Sequence, residues 1–382
     1  MHHSDDDLER SDRSEAWAAT MTGTARPDGI VVAHREPGPD LDPRPRLRRE
    51  ERETLAGRLL APGATSAVGA GDRARAEQPD PDRTCFERDR DRILHSTAFR
   101  RLAGKTQVFV YPADHQRTRL THALEVTQVA TSVARATGLN VELTEAIALG
   151  HDCGHGPGGH ASEEAFDLFL DEGYDHAVWG AVVLEPLNLC AQTLDGIRNH
   201  SWSRPPPATP EGAVVSWADR CAYTAHDLED AVHAGIVAVD ALPPVVREVC
   251  GDTQGRQLAV FVGALVDCIA DDGVVGMRAE PAAALAALRE FNYRRIYTRP
   301  ESVAQGRAVV AVLRALVEYY ADRPHALPEP VAADPGSHDA VRAAVGYVAG
   351  MTDRYAFQTA LAVLDWDEDK LPRGIDVPVR RG

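Results

Sequence analysis

A chain of 382 residues with 58 acidic and 41 basic side chains carries a formal net charge of −17, which argues against the broad basic surface that nucleic-acid binding requires, so nucleic acid is not expected as a main partner. The six cysteines (Cys85, Cys153, Cys190, Cys221, Cys250 and Cys268) are scattered without a Cys-x-x-Cys pair, a pattern of reduced thiols rather than of a disulfide framework or a zinc knuckle. No apolar run approaches the roughly 20 residues that span a bilayer, and the N-terminus is acidic rather than basic-then-apolar, so neither a membrane nor a signal peptide is expected and the expected location is cytoplasmic.

Residues 1–45 mix Asp, Arg, Pro and Gly without periodicity and offer too little apolar surface to repay ordering, which predicts a disordered tail in which His2 and His3 are incidental. A second segment, 46–81, predicts a short charged helix over 46–60 and a Gly/Ala/Asp-rich connector. The main domain is expected over 82–364, followed by a tail over 365–382. From Phe86 to Leu102 acidic and basic residues alternate, the pattern of a solvated helix laced with ion pairs. Thr106–Tyr111 is β-branched or aromatic and predicts a short strand or extended loop. Arg100, Arg101, Lys105 and Gln107 make a small basic and amide cluster suited to an anion.

A helix is predicted over about 117–137, with His122, Val126, Val129 and Val133 on one line, so His122 belongs to the buried stripe and Arg119 lies one turn earlier. The apolar helix over 141–150 then delivers His151-Asp152-Cys153-Gly154-His155-Gly156-Pro157-Gly158-Gly159-His160, where glycines and a proline break the helix before a restart near His160. Glu163 follows His160 at i+3, a spacing that lets a carboxylate hold an imidazole in one tautomer. Asp175-His176 opens the next helix. Thr209 as N-cap and Pro210 in the first turn start a helix to about Gly235, on which Asp219, Tyr223, His226/Asp227 and Asp230 form a polar stripe. Further helices are predicted at about 243–250, 257–271, 281–297, 301–321, 337–350 and 352–364. Among them Arg295 and Tyr297, within Tyr293-Arg294-Arg295-Ile296-Tyr297, could meet phosphate. The fold class is all-α.

His122, His151, Asp152 and Asp219 would offer one metal two imidazole nitrogens and two carboxylate oxygens, a set that suits Mn²⁺, Fe²⁺, Co²⁺, Ni²⁺ or Zn²⁺ better than Mg²⁺ or Ca²⁺. In an octahedral shell two positions stay open for a water and a phosphate oxygen, and hydrolysis of a phosphoester or anhydride follows.

The ordered words RDRDRILHSTAFRRLAGKTQVF, RTRLTHALEV, LGHDCGHGPGGHASEEAF, TLDGIRNH, WADRCAYTAHDLEDAV and AGMTDRYA resemble the deoxyguanosine triphosphate triphosphohydrolase-like family (bacterial dNTP triphosphohydrolases) of the HD-domain metal-dependent phosphohydrolases, over about 82–357. The chain departs from the family pattern at Cys153 and at Gly158-Gly159, where bulkier residues are common. The resemblance implies an HD-domain helical core with additional C-terminal helices. It also implies cleavage of a deoxynucleoside triphosphate to deoxynucleoside and inorganic tripolyphosphate, with one divalent metal per chain. By position, His122, His151, Asp152 and Asp219 match the family's metal ligands, His160 with Glu163 its catalytic pair, and His176 a second active-site histidine. Arg119, His155, Arg220, Tyr223 and Asp227 match contacts to phosphates and sugar. A homo-oligomer and a dNTP allosteric activator are further implications. The alternatives are hydrolysis of another nucleotide, such as a nucleoside monophosphate or guanosine tetraphosphate, or a nucleotide-sensing oligomeric regulator with weak turnover.

Overall fold

The structure, a computed structural model, describes residues 12–36, 38–112 and 115–374. The chain divides into two units, 1–47 and 48–382. In the first, helix α1 (Asp12–Ala18) precedes a hairpin of two-residue strands, β1 (Thr24–Ala25) and β2 (Val31–Val32), paired antiparallel with Thr24 opposite Val32. Residues 1–11 of the tail predicted to lack order lie outside the described residues, as do 375–382 of the C-terminal tail.

Among the described residues of the second unit every regular element is helical, so the all-α expectation holds. In order come α2 (Arg49–Gly57), α3 (Cys85–Leu94), α4 (Thr97–Arg101), α5 (Arg119–Thr137), α6 (Val141–Gly150), α7 (His160–Phe166), α8 (His176–Leu184) and α9 (Ala191–Arg198). They are followed by α10 (Pro210–His233), α11 (Pro244–Val249), α12 (Gln254–Asp272), α13 (Ala279–Asn292), α14 (Pro300–Ala321), α15 (His338–Ala349) and α16 (Asp353–Leu364). No helix among the described residues is long and apolar enough to cross a membrane.

Two departures from the sequence reading have local causes. The alternating-charge stretch is not one solvated helix: the Ser96 side chain accepts from Phe99 N–H and caps a second helix, α4. Asp89 is also buried, because Arg73 of the preceding connector donates to it at 2.6 Å. The helix predicted over 281–297 changes to a π-helical turn at Tyr293–Tyr297. Thr106 lies in an extended strap that forms a single antiparallel bridge with Thr118, not a strand.

Apolar side chains form two cores. One gathers α3, α5, α6 and α9 with the α10–α13 region around Val126, Ile147, Ile197 and Leu228; the other gathers α7, α8 and α14–α16 around Phe166, Leu313, Val345 and Phe357. The break between α6 and α7 carries the chain from the first core to the second, and this crossing brings the polar side chains of the site together.

Candidate active site

The Thr118 side chain accepts from Thr121 N–H and starts α5, and Gly138 in the left-handed region ends it. The helix buries Val126, Val129 and Val133, and on the same face Arg119 and His122 are buried. α6 buries Leu143, Ala146, Ile147, Ala148 and Leu149 and stops where the glycine-rich run begins. At its end His151 Nδ1 lies 2.7 Å from Ala148 O. A carbonyl only accepts, so Nδ1 carries the hydrogen and Nε2 keeps its lone pair.

That Nε2 is buried without a hydrogen-bond partner. It lies 3.5 Å from Asp152 Oδ1 and 3.7 Å from Asp219 Oδ1. His122 Nε2 lies 3.0 Å from Asp219 Oδ1 and 3.8 Å from Asp152 Oδ2. An orphaned imidazole lone pair facing two carboxylates is what a divalent ion of the first transition row accepts, so these four residues fit such an ion. Burial alone would lower the His151 pKa, but Asp152 and Asp219 outweigh it and push it up to about 9, so in the ion-free chain a proton competes with a metal ion for the Nε2 lone pair. Burial would raise the Asp152 carboxyl, yet the charges of Arg119, His151 and His155 hold it well below the usual carboxylate range. Arg119 Nη1 donates to Asp152 Oδ2 at 2.9 Å, its Nε donates to Thr106 O, and its Nη2 is buried without a partner.

Gly158 and Gly159 both have positive φ, +75° and +62°. A Cβ on Gly158 would lie 2.4 Å from Val309 Cγ1, and one on Gly159 2.9 Å from Thr106 O, so larger residues do not fit this backbone. The turn aims His160 into the cavity with its side chain 72% exposed. Glu163 Oε1 accepts from His160 Nδ1 at 2.9 Å and from His176 Nδ1 at 2.8 Å. Despite burial, these two hydrogen bonds hold Glu163 well below the carboxylate range.

These groups share one cavity of about 460 Å³. Of the residues named from sequence, Gln107, Arg119, His122, Asp152, His155, His160, His176, Asp219, Arg220, Tyr223, Asp227 and Tyr297 line it; His151 sits beneath its floor and Glu163 behind His160. Of the basic candidates, Arg100, Arg101, Lys105 and Arg295 do not reach it. Arg101 turns away to donate to Gly350 O, Lys105 is buried with its Nζ donating to the carbonyls of His155 and Ala349, and Arg295 is exposed on the outer side of the π-helical turn. The structure adds four residues that the sequence reading did not single out. His200, Trp202 and Arg289 line the cavity, with the Arg220 guanidinium 3.4 Å over the Trp202 ring and Arg289 Nε donating to Tyr223 Oη at 2.7 Å. Asp353 accepts from Gly158 N–H at 2.8 Å and from the Thr106 amide and hydroxyl. His200 and Asp353 stood in quoted words, DGIRNH and AGMTDRYA, which were the available signal.

The HD-domain family model matches residues 119–224, and that of the phosphohydrolase-associated domain matches 275–361. A deoxyguanosinetriphosphate triphosphohydrolase-like protein of Caldanaerobacter subterraneus subsp. tengcongensis is 40% identical over 316 residues, covering 81% of this chain and 93% of that one. One from Clostridium perfringens strain 13 is 40% identical over 302 residues, covering 74% and 87%. Among solved structures, a phosphohydrolase from Bacteroides thetaiotaomicron superposes with a TM-score of 0.47 at 18% identity, over 71% of this chain and 68% of that one. Helical fold, His/Asp cluster and family matches together define an HD-domain phosphohydrolase. The chain belongs to the deoxyguanosinetriphosphate triphosphohydrolase-like family.

Proposed function

We propose that the protein hydrolyses deoxynucleoside triphosphates at the α-phosphorus, releasing deoxynucleoside and inorganic tripolyphosphate. The observation that carries this reading is the placement of a His/Asp cluster, a carboxylate-held histidine and three arginines on one cavity. The names of the relatives support the nucleotide class. His122, His151, Asp152 and Asp219 would hold a divalent ion, which supplies Lewis-acid polarisation of the α-phosphoryl group; their nitrogen donors favour Mn²⁺ and its neighbours over Mg²⁺.

The chain's own residues then have separable tasks. Arg119 fixes the Asp152 carboxylate and keeps one free N–H pair for a phosphate oxygen. Arg220 and Arg289 stand on the far wall, where they neutralise the triphosphate tail. As water attacks phosphorus and the bond to the 5′ oxygen breaks, His160 gives that oxygen a proton. Glu163 holds the His160 ring through Nδ1, which leaves Nε2 as the transferring atom. Tyr223, Asp227 and Tyr297 form the side against which the sugar packs, with Tyr297 Oη donating to Asp227 Oδ2 at 2.5 Å.

Product analysis tests the reading. With each dNTP and Mn²⁺, deoxynucleoside and tripolyphosphate should form in equal amounts; release of monophosphate or orthophosphate would replace it with another phosphohydrolase activity. Nucleotide binding without turnover would replace it with a sensing role.

A further inference from the structure

Arg220 and Arg289 form a wall with a cavity on each side. Beyond it lies a second recess of about 370 Å³, which shares Trp202, Arg220, Arg289 and Tyr293 with the candidate active site. Its other side is formed by Trp217 of α10 and by Ala282 and Leu285 of α13. The volume lies within the range of small-molecule sites. The recess begins where the triphosphate tail of a bound nucleotide ends, a placement that rests on the function proposed above.

Its chemistry is aromatic beside cationic. The Trp202 and Trp217 rings meet edge to face, with centroids 4.6 Å apart and planes at 73°. Trp202 Nε1 donates to Ser216 O at 3.1 Å and the Arg220 guanidinium lies over the ring, so the indole is fixed in place although the residue is 44% exposed. An indole held open to solvent in this way is a platform for a flat ring, since every nucleobase has a π face and stacking needs no matched hydrogen bonds. Both arginines keep their charge for a ligand. Arg289 Nε donates to the Tyr223 hydroxyl, Arg220 Nε is buried without a partner, and among the described residues neither guanidinium makes an ion pair. Glu290, which also lines the recess, is paired with Arg294.

A ligand that suits both cavities has a polyphosphate chain to cross the arginine wall and an aromatic ring at each end. A mononucleotide leaves the indole platform empty. We propose that the protein also takes dinucleoside polyphosphates, with one deoxynucleoside in the candidate active site and the second base in the Trp202–Trp217 recess. Water attacks the α-phosphorus of the first half, the bond from that phosphorus to the 5′ oxygen breaks, and the oxygen takes its proton from His160. Bis(deoxyguanosine) tetraphosphate thereby consumes one water and yields deoxyguanosine and deoxyguanosine 5′-tetraphosphate. Stacking of the second base on Trp202 raises affinity about 5- to 150-fold.

The test uses the full chain loaded with Mn²⁺ and two probes. One is bis(deoxyguanosine) tetraphosphate; the other is deoxyguanosine 5′-tetraphosphate capped as its terminal methyl ester, which keeps the phosphate chain and its charge without the second nucleoside. The ratio of kcat/KM, first over second, is expected to be about 5 to 150, with deoxyguanosine and its tetraphosphate as initial products. Trp202→Leu removes the platform and Ala282→Leu narrows the recess, so in each the ratio should fall to the statistical factor for the first probe's two equivalent ends. Because the ratio is taken within each variant, a change at the Arg220 contact acts on both probes alike. A wild-type ratio no higher than the statistical factor, symmetric cleavage to two diphosphates, or a ratio that survives both substitutions overturns the proposal; the first two readouts need no variant to fold. If dGTP is still cleaved to deoxyguanosine and tripolyphosphate, only this inference falls. If neither dGTP nor either probe is cleaved at the 5′ oxygen, the proposed function falls and this inference with it.

Discussion

Asp353 offers the sharpest test of how the cavity is held open. It is the first residue of α16 and is buried, yet its two oxygens reach back to the Gly158 amide, the Thr106 amide and the Thr106 hydroxyl. Asp353→Ala strands the two amides, while the hydroxyl is free to turn elsewhere. At about 1–3 kcal/mol for each buried orphan donor, the gross cost is about 2–6 kcal/mol. Burial raises the Asp353 pKa above its ordinary value, so relief of that burial returns part of the cost and leaves about 2–4 kcal/mol. Calorimetry should show a melting temperature lowered by several degrees, and hydrogen exchange should quicken at Thr106 and Gly158. Because Gly158 sets the direction of His160, kcat for dNTP cleavage should fall about 10- to 100-fold with metal content unchanged. Asp353→Asn, which keeps an acceptor for one donor, should lie between. An alanine variant with wild-type melting temperature, exchange and kcat would refute the reasoning.

The other expectations concern the cavity itself. His160→Ala should keep metal and nucleotide affinity while single-turnover cleavage falls about 10²- to 10⁴-fold, and Glu163→Gln should lose less; loss of metal in His160→Ala would remove it from the donor role. Arg119→Ala leaves the buried Asp152 without its ion-pair partner, so KM should rise and kcat fall with every dNTP, and unchanged constants would reject the phosphate contact. Burial raises the Asp227 pKa to about 8 although Tyr297 donates to it. The unfolded chain releases that proton in the usual carboxylate range, so from about pH 4 to about pH 8 the folded state binds more protons and stability falls as pH rises. Asp227→Asn lacks this titration, and its stability relative to wild type should climb across that window; a flat difference would contradict the shift.

What could be read in advance depended on whether a residue belonged to a repeating pattern. His122 shares a helical line with Val126, Val129 and Val133, and Asp219 begins a stripe with Tyr223 and Asp227, so their inward direction was legible. His200 follows the end of α9 and belongs to no such line; its ring is set by Ile197 O, a contact that periodicity does not encode. Asp353 meets Gly158 across 195 residues. Arg101 and Lys105 misled for the opposite reason. They neighbour Gln107 in sequence, but the short turn between them sends one to Gly350 and the other beneath His155. Likewise Asp89 looked solvated in its alternating run because its partner, Arg73, lies in a connector with no pattern of its own.

The floor of the cavity belongs to residues 119–224, but Arg289, Tyr293, Tyr297, Ser302 and Gly306 wall it from the later segment. An HD portion cut from the later segment would therefore lose one wall of its cavity, and with it both Arg289 and Tyr297. The later segment, which carries none of the His/Asp cluster, thus helps to close the cavity over it. Exchanging 275–361 with that of a relative should redraw the ranking of KM values among nucleotides while the metal content stays the same.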